Sequence, residues 1–304
     1  MTFEIDSIQF SLGEIEIPVK EICDIYQIDY NKLKSRTGVN SVFHTELDEV
    51  EFVQKTISES TLRNPSETII LINQSMKNQI PGKVPSIFFE NPEYINVNFF
   101  EVSDACTGFL SGLQLANSLI TSKQTKSVDL ITVEKYSQFI DMSQTKISTL
   151  FSDSVTISRI IEGDKISILS HHVTNSFKNR DNLILIDKNL SMSGIEIFDW
   201  VTSNISSHVD ELLKKSGLEK CDINYWFIHQ GSKIVVDSIV QSLKLSPGNY
   251  FKSSNYGNLV SGSIPMMLNQ FLPFSKEKFG GKHVVLLAFG VGLSIRSVLI
   301  KLSK

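Results

Sequence analysis

Residues 96–123, NVNFFEVSDACTGFLSGLQLANSLITSK, join a β-prone segment to a helical one through a short polar turn. The first part, Asn96–Val102, is apolar and rich in β-formers, whereas Thr107–Lys123 has the spacing of a helix. A strand that runs directly into a helix is the building unit of α/β architecture. Cys106 stands at the junction, so we expect its thiol near the N-terminus of a helix.

The rest of the chain repeats this alternation of strand-like and helical segments. The remaining predicted strands are Phe3–Phe10, Glu67–Asn73, Ser127–Val133, Ile147–Phe151, Val155–Ile161, Ile166–Val173, Leu183–Asp187, Asp222–Ile228, His283–Phe289 and Leu293–Leu302. The remaining predicted helices are Pro18–Gln27, Leu47–Arg63, Gly194–Lys215, Ser232–Leu243 and Asn258–Phe271. The pattern predicts an α/β fold with strands buried between helices.

Composition is that of a globular protein. The 304 residues are 41% hydrophobic and 20% charged, and 29 Lys and Arg stand against 33 Asp and Glu. The resulting net charge of −4 gives no general nucleic-acid footprint. We expect two halves divided near Ser170, 1–170 carrying the candidate nucleophile and 171–304 carrying the other candidate catalytic residues.

Cysteine use and hydropathy predict the compartment. Cys23, Cys106 and Cys221 lie far apart with no CxxC pair, so a disulfide framework and a cysteine-rich zinc site are both disfavoured. The first ten residues lack a basic region followed by an apolar core, and the longest apolar stretch, Val284–Leu293, is too short to span a bilayer. We therefore expect a cytoplasmic protein that binds neither membrane nor nucleic acid.

Three residues have settings that suit chemistry, although each also has a structural interpretation. Cys106 at a helix start would be a thiolate nucleophile favoured by the helix dipole, or a buried structural cysteine. His229 ends an apolar strand, where α/β folds collect functional groups, but half-buried histidines also occur there. Asn258 could equally be a helix N-cap.

Other catalytic patterns are missing from the sequence. It contains no GxGxxG, GxxxxGK[ST], HExxH or GxSxG motif. A cysteine, a histidine and an asparagine in that order also occur in papain-like proteases. Those enzymes place the cysteine near the mature N-terminus, whereas a whole α/β segment precedes Cys106.

A weak internal repeat links two helix starts. Cys106-Thr-Gly-Phe-Leu-Ser-Gly opens one predicted helix and Asn258-Leu-Val-Ser-Gly-Ser opens another. If the repeat is real, each half projects a reactive side chain from a helix start toward a shared centre.

Five segments in order resemble the thiolase-fold condensing enzymes, and within them ketoacyl-acyl-carrier-protein synthase III. They are the Arg-Thr-Gly segment, the nucleophile motif, the His-Gln motif, the Tyr-Gly-Asn motif and the glycine-rich C-terminal hairpin. In this sequence they are Arg36–Val39, Asp104–Phe109, Ile228–Ser232, Asn255–Pro265 and Leu287–Ile300.

The resemblance implies a thiolase-like five-layer αβαβα fold of two duplicated halves, usually in a homodimer. It implies that Cys106 carries the acyl group, and that His229 and Asn258 bind the carbonyl of a malonyl-type thioester. Backbone N–H groups of Cys106 and Val291 would hold the oxyanion. It also implies no tightly bound cofactor and no metal. The phosphopantetheine arm of an acyl carrier protein or of coenzyme A would be the substrate handle, near Arg36.

Several positions depart from the family pattern. Lys32 stands where the family has an adenine-stacking Trp, which favours a carrier-protein donor. Ser232 replaces an Asn that binds the pantetheine arm, and Ile234 replaces a cation, for which Lys233 is the candidate substitute. Val84 takes the place of a Phe that lines the acyl pocket.

These observations predict an acyltransferase that condenses an acyl-Cys106 with a malonyl thioester, with loss of CO2, in a specialised pathway. Two alternatives stay open. The enzyme could transfer the acyl group to an amine or alcohol, or the chain could be a non-catalytic subunit of a heterodimeric synthase.

Overall fold

Strands and helices alternate along the computed structural model, which describes residues 2–60, 64–75, 88, 91–176, 178, 182–186, 189–252, 255–271, 280–290 and 292–303. The strands are β1 (Thr2–Leu12), β2 (Ile15–Pro18), β3 (Ser41–His44), β4 (Thr68–Asn73), β5 (Asn98–Val102), β6 (Ser127–Glu134), β7 (Ser154–Glu162), β8 (Ile166–Asn175), β9 (Leu183–Ile186), β10 (Asn189–Met192), β11 (Tyr225–Ile228), β12 (Tyr250–Phe251), β13 (His283–Gly290) and β14 (Ser294–Leu302). The α-helices are α1 (Val19–Ile25), α2 (Tyr30–Thr37), α3 (Glu49–Glu59), α4 (Gly108–Thr121), α5 (Thr145–Ser148), α6 (Gly194–Lys214), α7 (Lys233–Leu243) and α8 (Ser263–Phe271).

The main sheet is built twice from the same strand pattern. Its order is β12-β11-β13-β14-β8-β1-β7-β6-β4-β5. The two halves meet where β1 pairs with β8. Outward from that seam, each half has two antiparallel steps followed by two parallel ones. The second half thus repeats the topology of the first.

Five layers follow from what each strand face buries. One core places α4 and α8 between the two halves of the sheet. The opposite face of the first half is covered by α3, and that of the second half by α6 and α7. The predicted αβαβα fold is therefore confirmed. A further apolar cluster joins α1, α5 and β9 around the start of α4, close to Cys106.

One predicted strand was wrong, and one predicted helix begins later than expected. The segment Ile147–Phe151 is not a strand, because its buried apolar residues follow helical spacing and the short helix α5 begins just before it. Asn258 does not open a helix, because α8 begins five residues later at Ser263, after a 3₁₀ turn at Val260–Gly262. The predicted division of the chain near residue 170 falls within β8. That division stays a prediction.

The internal repeat is shifted from the one that the sequence suggested. A 3₁₀ turn precedes each central helix, at Ala105–Thr107 before α4 and at Val260–Gly262 before α8. Each turn begins with a non-glycine residue of positive φ, Ala105 at 46° and Val260 at 53°. The counterpart of Cys106 in the second half is consequently Ser261, and not Asn258.

Candidate active site

Cys106 is held in a tight turn between β5 and α4. The backbone N–H and the hydroxyl of Thr107 both donate to the carbonyl of Asp104, at 3.1 Å and 2.8 Å. Ala105, at φ 46°, has a conformation that is costly for a residue with a side chain. The turn leaves Cys106 only 5% exposed, at the head of the helix as predicted.

Gly290, the last residue of β13, lies against the nucleophile. A Cβ atom built on Gly290 would be 2.8 Å from the Cβ of Cys106 and 3.3 Å from its Sγ. Glycine is therefore required by close approach at this position. The hairpin between β13 and β14 has the register Gly290↔Ser294, as the predicted glycine turn requires.

The thiol of Cys106 is not activated in this structure. Burial raises its pKa above the ordinary range, and the nearby carboxylates of Glu134 and Asp104 add to that effect. The backbone N–H of Cys106 opposes the shift but is a smaller influence than burial. The expectation of a low pKa for Cys106 was therefore wrong, because burial disfavours the thiolate more than the N-terminus of the helix favours it.

His229 follows the end of β11 and is 1% exposed. Its backbone N–H donates to the carbonyl of Leu287 at 2.8 Å, and its ring lies edge-on to Phe289 at 5.2 Å between centroids. Its Nδ1 atom has no hydrogen-bond partner among the described residues. Burial lowers the pKa of His229 to about 3, so the imidazole is neutral and carries one N–H donor.

Asn258 is fixed at three points. Its backbone N–H donates to the carbonyl of Leu150 at 2.7 Å, and its carbonyl accepts from the N–H of Ser152 at 3.0 Å. Its side-chain Oδ1 accepts from the N–H of Val260 at 2.9 Å. Because Oδ1 is already engaged, the amide nitrogen Nδ2 supplies the donors that remain.

One cavity of about 620 Å³ brings the three candidates together. Cys106, His229 and Asn258 all line it, beside Gly290. The volume lies within the range of small-molecule sites. A thiol, a neutral imidazole and a fixed amide in an apolar cavity can carry an acyl group and donate hydrogen bonds to an oxyanion.

The lining of the cavity includes cations and exposed apolar side chains. Arg36 and Ser232, which were predicted to bind the pantetheine arm, line the cavity together with Ile234. Two further lining residues, Lys146 and Ile195, were not among the predicted site residues. Ile195 and Ile234 are 77% and 46% exposed, which leaves apolar surface at the entrance.

Two predicted binding residues do not line the cavity. The exposed Lys32 lies on α2, where its backbone N–H donates to the side chain of Asp29 at 3.0 Å. Lys233 forms an ion pair with Asp237, which also pairs with Lys252 at 3.2 Å. The charge of Lys233 is therefore already partly neutralised on the protein.

Val84, predicted for the acyl pocket, and Val291, predicted for the oxyanion hole, lie outside the described residues. Within the described ranges, no group of three or more His, Cys, Asp or Glu side chains is placed to hold a metal. None of the described helices is long and apolar enough to cross a bilayer.

Glu134 is a residue of this region that sequence reasoning missed. It ends β6, is fully buried, and accepts the hydroxyl of Ser261 at 2.6 Å. Its signal in the sequence is an acid at the end of the apolar run LITVE, residues 130–134. That pattern is equally typical of a strand that ends in solvent, so the burial was not foreseeable.

Comparison with known proteins gives consistent matches. Residues 100–175 match the family described as 3-oxoacyl-[acyl-carrier-protein (ACP)] synthase III, and residues 213–302 match its C-terminal region. The chain is 30% identical over 224 residues to the beta-ketoacyl-[acyl-carrier-protein] synthase III of Campylobacter fetus, covering 68% of each chain. It is 25% identical over 319 residues to that of Clostridium tetani, covering 95% of each. The crystal structure of 3-oxoacyl-[acyl-carrier-protein] synthase III from Aquifex aeolicus superposes with a TM-score of 0.89 at 22% identity, covering 99% of this chain and 100% of that one.

Proposed function

The chain belongs to the 3-oxoacyl-[acyl-carrier-protein] synthase III family of condensing enzymes, and we propose that it forms an acyl-Cys106 intermediate and condenses it with a malonyl thioester. The products are a 3-oxoacyl thioester, CO2 and the regenerated thiol. The observation that carries the proposal is the shared cavity of Cys106, His229 and Asn258.

Acylation is the first half-reaction. The sulfur of Cys106 attacks the acyl thioester, the donor thiol leaves, and the proton of Cys106 passes to that leaving thiol. The tetrahedral oxyanion accepts hydrogen bonds from the backbone N–H groups of Cys106 and Val291 in this proposal. Because the thiol is buried and its pKa is raised, deprotonation and attack accompany binding of the thioester and do not precede it.

Condensation is the second half-reaction. The malonyl thioester carbonyl accepts hydrogen bonds from a ring N–H of His229 and from Nδ2 of Asn258. The carboxylate leaves as CO2, and its bonding electron pair forms an enolate whose oxygen these two donors stabilise. The enolate carbon then attacks the acyl carbonyl, and the Cys106 thiolate leaves and takes up a proton from water. A neutral imidazole suits this role, since it donates without bringing a second charge into the cavity.

The substrate handle is a phosphopantetheine arm entering past Arg36, Ser232 and Lys146. We assign the arm to an acyl carrier protein in preference to coenzyme A. Exposed Ile195 and Ile234, beside the cations Arg36 and Lys146, can contact apolar side chains of a carrier protein. No Trp is among the described residues that line the cavity.

The wider setting is also part of the proposal. The departures at Lys32, Ser232 and Ile234 support a specialised pathway that uses a particular carrier protein. The three free cysteines support a cytoplasmic location. A homodimer is supported by β5, which pairs with β4 on one side and has no described partner on its other edge.

Intact-protein mass spectrometry tests the proposal. The wild type and Cys106→Ala are mixed with a panel of acyl-carrier-protein and acyl-coenzyme A thioesters, and malonyl-carrier protein is then added. We expect a mass gain of one acyl group in the wild type alone, lost as 3-oxoacyl-carrier protein appears. If malonyl-carrier protein leaves the adduct in place and only amine or alcohol acceptors remove it, the enzyme transfers the acyl group without condensation. If no donor gives an adduct, the proposal fails, and the chain is better explained as a non-catalytic subunit of a heterodimeric synthase.

A further inference from the structure

A buried hydrogen bond connects the two halves of the fold. The hydroxyl of Ser261 donates to Oε1 of Glu134 at 2.6 Å, and the two residues are 1% and 0% exposed. Neither residue lines the cavity. Burying a carboxyl group is costly unless its oxygens accept hydrogen bonds, so this contact has a structural reason to persist.

The pair has a counterpart in the active site. Ser261 occupies in the second half the place that Cys106 has in the first, in a 3₁₀ turn after a residue of positive φ. Gly290 ends β13 and touches Cys106, while Glu134 ends the equivalent strand β6 and binds Ser261. One half presents a thiol to a cavity, and the other ties a hydroxyl to a carboxyl group.

The turn of Ser261 is also the turn that fixes Asn258. Val260 stands between them at φ 53°, and its N–H donates to Oδ1 of Asn258. A β-branched residue keeps such a conformation only where surrounding contacts hold it. The hydrogen bond of Ser261 to Glu134 is one such contact, one residue from Val260.

We propose that Glu134 and Ser261 are positioning residues for condensation: their hydrogen bond holds the Val260 turn, which in turn orients the amide of Asn258. This inference rests on the proposed function. It assigns no role in acylation, because Asn258 is not needed to form the acyl-Cys106 intermediate.

Loss of the hydrogen bond should act on the second half-reaction. Without it, the Val260 turn can relax and the amide of Asn258 moves away from the enolate oxygen. A misplacement of about 1 Å costs roughly 10²-fold in rate. We therefore expect Ser261→Ala to slow condensation by about 10-fold to 100-fold and to change acylation by less than about threefold.

The chain offers a matched control. Ser263 is also fully buried, lies two residues further on, and its hydroxyl has no hydrogen-bond partner among the described residues. Ser263→Ala therefore removes the same atom from the same segment without breaking a hydrogen bond. Glu134→Gln is the conservative variant, since its amide oxygen can still accept the Ser261 hydroxyl. We expect Ser263→Ala to condense within about threefold of wild type, and Glu134→Gln to keep the ratio of condensation to acylation within about threefold of wild type.

Single-turnover measurements on the purified chain test the inference. Acylation is followed by mass, and condensation by CO2 release from malonyl-carrier protein added to preformed acyl-enzyme. A selective loss of condensation in Ser261→Ala supports the proposal. It is overturned if Ser261→Ala leaves the ratio of the two rates unchanged, or if Ser263→Ala lowers it equally.

Three further outcomes separate the positioning role from the proposed function. If Ser261→Ala does not fold, Ser261→Cys keeps a weak donor of similar shape and should show the same selective loss to a smaller degree. If the wild type itself forms no acyl-enzyme, the proposed function fails. If it acylates and condenses but the variants behave alike, only the positioning role fails.

Discussion

Gly290 and Cys106 come from opposite halves of the fold and touch backbone to side chain. The end of β13 approaches so closely that a Cβ atom on residue 290 would lie 2.8 Å from the Cβ of Cys106. Real Cβ atoms do not tolerate that separation from another side chain's Cβ, so either the hairpin or the nucleophile would have to move. The position of the thiol is thus set by the second half of the chain as well as by its own helix.

We expect Gly290→Ala to reduce acylation of Cys106 by about 10²-fold, because a displacement of about 1 Å at the reacting sulfur has that scale of effect. Mass-resolved acylation kinetics check it, and thermal unfolding shows whether the fold persists. Wild-type acylation in a folded Gly290→Ala protein would contradict the contact.

Asn258→Ala separates the two half-reactions. Its Nδ2 is the free donor of a side chain whose Oδ1 is held by Val260, so its loss removes one stabiliser of the enolate and nothing from the acyl-enzyme. Removing one such donor typically costs about 10²–10³ in rate. We expect a loss of that size in CO2 release, with acylation close to wild type. An equal loss in both half-reactions would count against the assigned role.

The raised pKa of Cys106 predicts that its thiol is alkylated slowly at neutral pH. Iodoacetamide reacts with the thiolate, so its reaction with Cys106 should be slow at neutral pH and still rise with pH at pH 9. Removing the charge of Glu134 lowers the pKa of Cys106, and Glu134→Gln should therefore speed alkylation at a given pH.

Peptide mass mapping distinguishes Cys106 from the exposed Cys221. Asp104→Asn is the matched control, with a smaller acceleration because Asp104 raises the pKa of Cys106 less than Glu134 does. If the alkylation rate of Cys106 reaches a plateau below pH 8, the pKa of its thiol is not raised.

The fold was largely predictable because its elements have strong periodicity. The strand–turn–helix unit around Cys106 and the hairpin of β13 and β14 both formed where expected. The one strand that was predicted wrongly is a short segment, for which sequence periodicity carries little information. In Ile147–Phe151, the three apolar residues Ile147, Leu150 and Phe151 have the spacing of a helical turn, and all three pack into one apolar cluster beside the short helix α5.

The candidate residues of the site could be picked out from the sequence, whereas their environment could not. Cys106, His229 and Asn258 stand in motifs that resemble those of condensing enzymes, and one cavity collects them. Their protonation could not be predicted, because burial dominates the pKa of both Cys106 and His229. Glu134 was invisible for the same reason, since only the folded chain encloses it.

We expect His208 to make the stability of the fold depend on pH. It is 1% exposed on α6, and its ring nitrogens contact the hydroxyls of Thr174 and Ser297 at 2.8 Å each. Burial, helped by His172 and Lys215, lowers its pKa to about 3 from an ordinary 6.5. The ring centroid of His172 lies 4.9 Å from that of His208, and Nζ of Lys215 lies 3.1 Å from Nδ1 of His172.

Protonation of His208 favours the unfolded chain. Below pH 6.5 the unfolded chain binds a proton at His208 that the folded chain refuses until about pH 3, so stability falls as the pH is lowered through that window. The loss reaches about 1.4 kcal/mol per pH unit. His208→Gln keeps a hydrogen-bonding side chain but cannot titrate. Its stability deficit against wild type, measured by urea unfolding, should therefore shrink by about 2 kcal/mol between pH 7 and pH 5. A deficit that stays constant over this range would show that His208 does not resist protonation in the folded state.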